Sequence, residues 1–325
     1  MALLYLVLAI SSITGGSLHP VDALAFEPQL QLPNLFNVNS AKSTFSYTHL
    51  ECNGQLWTAS NGKTKLSIVI DPLASQLDFG IPWGYRANKQ TLSEKATIDL
   101  ICDAKPEYCL LTMGLDDHTH LPTLSKLRER MPELRYIVAP SCEQKLVDFG
   151  LSANRITGLD HGETCKLIDG ASVTATEGAL VGPPWQKREN GFLMQLNNDK
   201  ENGGLSIYYE PHGDVVLNNI KSLRADVMVA PVTKQSLPAQ VPAEGQFTLV
   251  YGGERTLEIA DVLGAKVIVP LGNGALDTAG PLAKLVKAEG DVSDFEKLVE
   301  QRNVGRKDGI RVAIPTPGRK LTVSV

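Results

Sequence analysis

From residue 44 onward, short apolar runs of strand length alternate with stretches in which apolar side chains recur at helical spacing. Residues 44–48 and 55–58 read as an opening hairpin around Asn53-Gly54, and residues 66–70 as an apolar strand ending on Asp71. Residues 108–113 predict a buried strand. A helix is expected over 120–131, with Leu121, Leu124 and Leu127 on one face and Pro132 ending it. A strand at 136–139 then runs into a helix capped by Ser141 and closed at Gly150. The second half repeats the rhythm. Strands are predicted at 171–176, 191–196, 205–210, 225–232, 246–251 and 266–271, with a helix over 256–263 closed by Gly264. Helical material over 281–301 and a last strand pair near Val312 and Leu321 complete the chain. The whole predicts an α/β layered domain over 45–325. A doubly wound dinucleotide-type sheet fits the periodicity too, but no GxGxxG follows an early strand.

The first 44 residues are of another kind. Residues 3–10 form an apolar run too short to span a bilayer, and Ala23-Leu24-Ala25 supplies a small-x-small cleavage pattern, so 1–25 reads as a signal-peptide-like segment. Phe26 completes a junction resembling the Ala-x-Ala-Phe of bipartite presequences that route proteins into complex plastids. Residues 26–44 then read as a transit-like segment or a linker, and the expected location is the plastid, with the secretory pathway or the cell exterior as the alternative. No transmembrane segment is expected in the mature chain. A net charge of −5 and the lack of any Lys/Arg run argue against nucleic acid, leaving an unidentified small molecule or protein as partner. The five cysteines, an odd number without a CxxC pair, predict reduced and mostly buried thiols.

The chemistry concentrates in Met113-Gly114-Leu115-Asp116-Asp117-His118-Thr119-His120. This stretch, after its strand and before its helix, resembles the second motif of the metallo-β-lactamase superfamily, His-x-His-x-Asp-His. Such a loop aims imidazoles and a carboxylate at two Zn²⁺ ions, which lower the pKa of a bridging water. On this alignment Met113 and Leu115 stand at the first two histidine positions, whereas Asp117 and His118 match. A thioether and an isobutyl group do not replace imidazole on zinc. The remaining motifs are similar in order and spacing. Asp71 ends a strand like the first motif's Asp; residues 173–182 sit where a third-motif His is expected and contain none; Glu210-Pro211-His212 falls near the bridging Asp. Gly272 falls on the last histidine, and Pro317-Gly318 resembles the closing turn. The resemblance covers residues 45–325 and looks most like a divergent branch of plastid-bearing organisms and cyanobacteria. It implies a four-layered αββα sandwich.

It also implies a hydrolase-like protein with a degenerate site, mononuclear or metal-free; the alternative is a non-catalytic binding or scaffold protein that keeps the fold and cleft. One Zn²⁺ or other divalent ion on Asp117 and His118, completed by His120, Glu210 or His212, is one expectation. The other is no metal at the standard dinuclear position, with Asp117 and His118 a structural pair. Candidate catalytic residues are Asp117, His118, Glu210 and His212. Strand alternation would place Glu210 and His212 on one face, as an acid/base couple or as a satisfied turn. Trp185, Arg188 and Asn190 are candidates for the site mouth, Arg188 offering a guanidinium to an anionic group. The competing reading is a surface loop with an anchoring Trp.

Overall fold

The computed structural model describes residues 44–60, 64–168, 170–182, 185–196, 204–237, 247–272 and 276–324. The expected signal-like segment 1–25 and nearly all of 26–44 lie outside these. The first half runs β1 (Thr44–His49), β2 (Gln55–Ser60), β3 (Lys65–Ile70), β4 (Arg86–Lys89), α1 (Glu94–Ala104), β5 (Tyr108–Leu111), α2 (Leu121–Arg130), β6 (Arg135–Val138), α3 (Pro140–Asp148) and β7 (Ile156–Gly158). After it come β8 (Thr164–Lys166), β9 (Ala171–Glu177), β10 (Asn190–Leu196), β11 (Leu205–Tyr209), the single turn α4 (Leu217–Ile220), β12 (Val227–Pro231), β13 (Lys234–Leu237) and β14 (Phe247–Val250). The chain closes with α5 (Gly253–Leu263), β15 (Val267–Leu271), β16 (Leu276–Ala279), β17 (Lys287–Glu289), α6 (Val292–Asn303), β18 (Arg311–Val312) and β19 (Lys320–Ser324).

Two seven-stranded sheets carry the architecture, ordered β19-β1-β2-β3-β5-β6-β7 and β18-β15-β12-β11-β10-β9-β8. Each is part antiparallel and part parallel. The parallel runs are β3-β5-β6-β7 and β11-β12-β15-β18. Period-two alternation in each strand sends one set of side chains inward, and Trp57, Ile68, Leu110, Phe192, Tyr209 and Val269 belong to the shared core. The opposite faces bind helices: Ile98, Leu124, Leu127 and Leu146 pack on the first sheet, and Leu257, Ala260, Leu263 and Phe295 on the second. This is the expected mixed α/β layering of two large sheets with helices outside them. No disulfide links the five cysteines, and Cys52, Cys109 and Cys142 are buried. No helix among the described residues is long and apolar enough to cross a membrane.

The local differences from the sequence reading have identifiable causes. The opening hairpin turns through Leu50–Gly54, with Glu51 and Cys52 in the left-handed region, φ 66° and 53°. Asn53 is thereby released for long-range contacts. Ser141 does not cap α3; Ala139 occupies that position, and the Ser141 hydroxyl faces the neighbouring loop. Residues 281–301 are not one helix. Gly290 at φ 76° breaks the chain after β17, and Asp291 caps a new helix by accepting from Asp294 N. Helix α1, with Ser93 accepting from Ala96 N, lies in a stretch given no element from sequence.

Candidate active centre

Parallel strands end on a common edge, where open α/β sheets place their ligands. Here β3, β5 and β11 deliver Asp71, Thr112 and Glu210 one residue past their C-termini. Asp71 sits at φ 41°, a conformation that Asp tolerates better than most residues, held by its own N–H donating to Leu110 O at 3.0 Å. Its carboxylate is fully buried and accepts from Thr112 N at 2.9 Å, Thr112 Oγ1 at 2.6 Å and Tyr209 Oη at 3.3 Å.

The loop from Met113 to His118 wraps over this edge. Gly114 is required there: a Cβ would lie 2.6 Å from Ser141 O. Gly114 N donates to Ser141 Oγ at 2.9 Å, and Lys145 Nζ donates to Gly114 O at 2.8 Å and pairs with Asp116 at 2.6 Å. Asp116 is thus drawn outward while Asp117 and His118 turn inward. Ser141 Oγ in turn donates to Glu189 at 2.6 Å. Burial raises the Glu189 carboxyl above its ordinary pKa.

His118 is fully buried between two carboxylates. Nδ1 donates to Asp71 Oδ2 at 2.9 Å and lies 3.0 Å from Thr112 Oγ1. Nε2 faces Asp117 Oδ2 at 3.4 Å, and the Asn53 amide lies 3.1 Å from Nε2 while donating to Asp117 Oδ2 at 3.2 Å. Burial disfavours the charged ring, but Asp117 and Asp71 overcome it and push His118 up to about 10. His212 stands edge-on to it, ring centroids 5.5 Å apart, and burial together with the His118 charge lowers it to about 4.

The structure brings Asp117, His118 and His212 together, but it gives Glu210 another task. The strand stops at Tyr209 and turns through Pro211, so the alternation expected for Glu210 and His212 does not continue. Glu210 Oε2 accepts from the backbone N–H of His212 at 3.1 Å and of Asp214 at 3.0 Å. The carboxylate holds the turn and not the imidazole; burial and Asp214 raise it to about 8. His120 lies at the α2 N-terminus against Thr123 Oγ1 at 2.8 Å, lowered to about 4 by burial.

The proposed mouth residues separate. Trp185 is exposed. Arg188 donates to Gly178 O and Asp214 O and pairs with Glu177 at 3.3 Å and Asp214 at 2.7 Å, so its fork is spent on the protein. Asn190 is buried, its amide donating to Leu159 O at 2.7 Å. Asn53, Thr112 and Tyr209 belong to the centre unannounced by sequence, because a turn Asn, a strand Thr and a core Tyr carry no signal of their partners.

The positions aligned with histidine ligands are filled in two ways. Met113, Ala179 and Val181 form a buried apolar cluster, with Leu115 packed against it. At Gly272 a Cβ would stand 2.8 Å from His49 Nε2, so the imidazole of β1 occupies the space of a side chain there. Gly272→Ala is therefore expected to destabilise the fold by about 1–3 kcal/mol, as overpacking does. Chemical denaturation of this variant, alone and with His49→Ala, checks it; the double variant should recover much of the loss.

A divalent pair does not fit these residues. Both His118 nitrogens face partners, and Met113, Leu115 and Gly272 offer no imidazole. Asp117 Oδ1, His212 Nδ1 and His49 Nε2 are buried without hydrogen-bond partners, yet no group of three or more His, Cys, Asp or Glu among the described residues could hold a metal ion.

Comparison with known proteins agrees with the fold. A family model described as "Beta-lactamase superfamily domain" matches residues 48–272. Igni18, a metallo hydrolase of the hyperthermophilic archaeon Ignicoccus hospitalis, superposes with a TM-score of 0.56 at 16% identity, covering 87% of this chain and 99% of its own. YhfI, a metallo-beta-lactamase fold protein of Bacillus subtilis, gives 0.51 at 10% identity, covering 87% and 100%. At such identities the likeness is one of fold. No curated protein matches the sequence.

Proposed function

The chain belongs to the beta-lactamase superfamily, and on that premise we propose that this hydrolase-like protein works without the family's metal pair, as a binding protein that retains the fold and cleft. The observation that carries this reading is His118, whose two ring nitrogens are committed between buried Asp71 and Asp117 where the resembled motif directs its side chains at metal. With Nδ1 on Asp71 and Nε2 enclosed by Asp117 and the Asn53 amide, the ring turns neither nitrogen toward an open position. The centre also lacks the exchangeable ligand position from which a metal-bound water becomes hydroxide. The apolar cluster around Met113 supports the same conclusion, since hydrocarbon packing has replaced ligands at several positions together.

Elemental analysis of the purified full chain, after dialysis against zinc, tests the proposal beside the Asp117→Ala variant. Metal well below one equivalent is expected in both proteins, together with a melting temperature unmoved by added zinc. One equivalent of zinc, iron or manganese that disappears in Asp117→Ala would overturn the proposal and re-establish a mononuclear hydrolase.

A further inference from the structure

A buried polar atom without a hydrogen bond is rare in a folded protein, because it costs the full desolvation of its group. Asp117 Oδ1, His212 Nδ1, Tyr85 Oη and both polar atoms of the Gln235 amide are of this kind. None has a partner among the described residues, and the four residues are no more than 2% exposed.

They come from four segments that contacts join into a ring. Asn53 donates to Asp117 Oδ2 at 3.2 Å, and Asp117 Oδ2 lies 3.4 Å from His118 Nε2. The His118 and His212 ring centroids are 5.5 Å apart, and His212 O accepts from Tyr251 N at 2.7 Å. Val250, the residue before, pairs with Gln235 of β13. Val250 and Leu237 then pack in one apolar cluster with Tyr85 and with Cys52, the neighbour of Asn53. The Asp117 carboxylate acts across this ring: after burial and Cys52, it pushes the Tyr85 hydroxyl up. Of these residues only Tyr251 reaches solvent, at 37% exposed.

The unpaired atoms define a chemistry. Asp117 Oδ1 accepts, Tyr85 Oη can donate, and the Gln235 amide offers a carbonyl beside an NH2 group. An amide is complementary to another amide, which returns an N–H to the oxygen and a carbonyl to the nitrogen. The nearby cations are spent: Arg188 on Glu177 and Asp214, Lys89 on Leu73 O and Thr97, Lys145 on Gly114 O and Asp116. The Asp117 charge is itself faced by His118 and the Asn53 amide. The ring thus holds no free cation for an anion and no unopposed carboxylate for a cation. We infer that it binds an uncharged small molecule through a carboxamide-type edge, an N–H beside a C=O. The edge sits on Gln235, and Tyr85, Asp117 and His212 complete its hydrogen bonds. This ligand class rests on the binding-protein reading above.

Saturation-transfer NMR of the purified full chain, treated with chelator, tests the inference with acetamide as the probe beside acetate and methylammonium. Acetamide is expected to bind and the two ions are not. N-acetylglycinamide and uracil, set against acetamide, show whether an acyl amide or a ring imide supplies the edge. Gln235→Met removes the amide at similar volume and should weaken acetamide about tenfold, for two neutral hydrogen bonds lost. It should also raise the melting temperature of the free protein, as should Tyr85→Phe, since each replaces an unpaired buried polar group. Three results would overturn the inference: tighter binding of either ion, acetamide that fails to bind or binds Gln235→Met equally well, or either variant melting below the parent. Metal content is read on the same samples after zinc is added. One bound equivalent sinks the metal-free reading whatever acetamide does, whereas a metal-free chain that ignores acetamide sinks only this ligand class.

Discussion

Replacing His118 with alanine is expected to cost about 3–5 kcal/mol of stability, the range for breaking a buried ion pair by removing one partner. The reason is what remains. Asp71 keeps the hydroxyls of Thr112 and Tyr209, but Asp117 retains only the long contact to the Asn53 amide, and both carboxylates stay in a dry interior. A double change, His118→Gln with Asp117→Asn, removes the charges together and should cost markedly less than the two single losses added. Urea denaturation of His118→Ala, of His118→Gln and Asp117→Asn singly, and of their double gives the result. A loss below about 1 kcal/mol for His118→Ala would mean that the ring is not a charge hub.

Stability should pass through a maximum close to pH 6.5 and fall from there to pH 8, above which Lys89, lowered to about 8 by burial, offsets His118. His118, raised in the folded protein to about 10 from an ordinary 6.5, contributes stability in full below pH 6.5 and loses it as pH climbs through 10. Glu210, raised from 4.5 to about 8, acts in the same direction across its own interval, since folding holds its proton more tightly than the unfolded chain does. On the acid side the sign reverses. His49, His120 and His212 are lowered to about 4, so the unfolded chain binds more protons between pH 4 and 6.5 and stability rises with pH there. Three histidines outweigh the single Glu210 in that interval. Melting temperatures from pH 4 to 10 check the shape; a curve that rises between pH 7 and 9 would show that His118 is not held protonated.

The layered fold was legible because strand and helix periods are local. Runs such as Ile68-Val69-Ile70 and Val267-Ile268-Val269 announce themselves within a few residues. The Asp117-His118 pair and Asp71 were legible through their resemblance to an ordered motif. Their partners were not, for they are distant in sequence: Tyr209 reaches Asp71 across 138 positions and Asn53 reaches Asp117 across 64. Glu210 and His212 had two readings, an acid/base couple or a turn, between which sequence alone does not choose. Alternation holds only while the strand continues, and Pro211 ends it, so an apparent acid/base couple is a carboxylate bonded to a backbone turn. Arg188 looked available because sequence does not show that Glu177 and Asp214 already hold its guanidinium.

The packing of Met113, Leu115, Ala179 and Val181 has an evolutionary consequence. Restoring one histidine among them would bury an imidazole in hydrocarbon with no metal yet to bind it, at a cost of a few kcal/mol for an unpaired polar group. Restoring one at position 272 would first require His49 to leave. Every single-step introduction of a histidine at these positions therefore loses stability before it gains a ligand, and natural proteins have only a few kcal/mol to lose. If these are the ligand positions of the resembled motif, their packing would act as a ratchet: a lineage with this interior would reach new uses more readily than zinc binding.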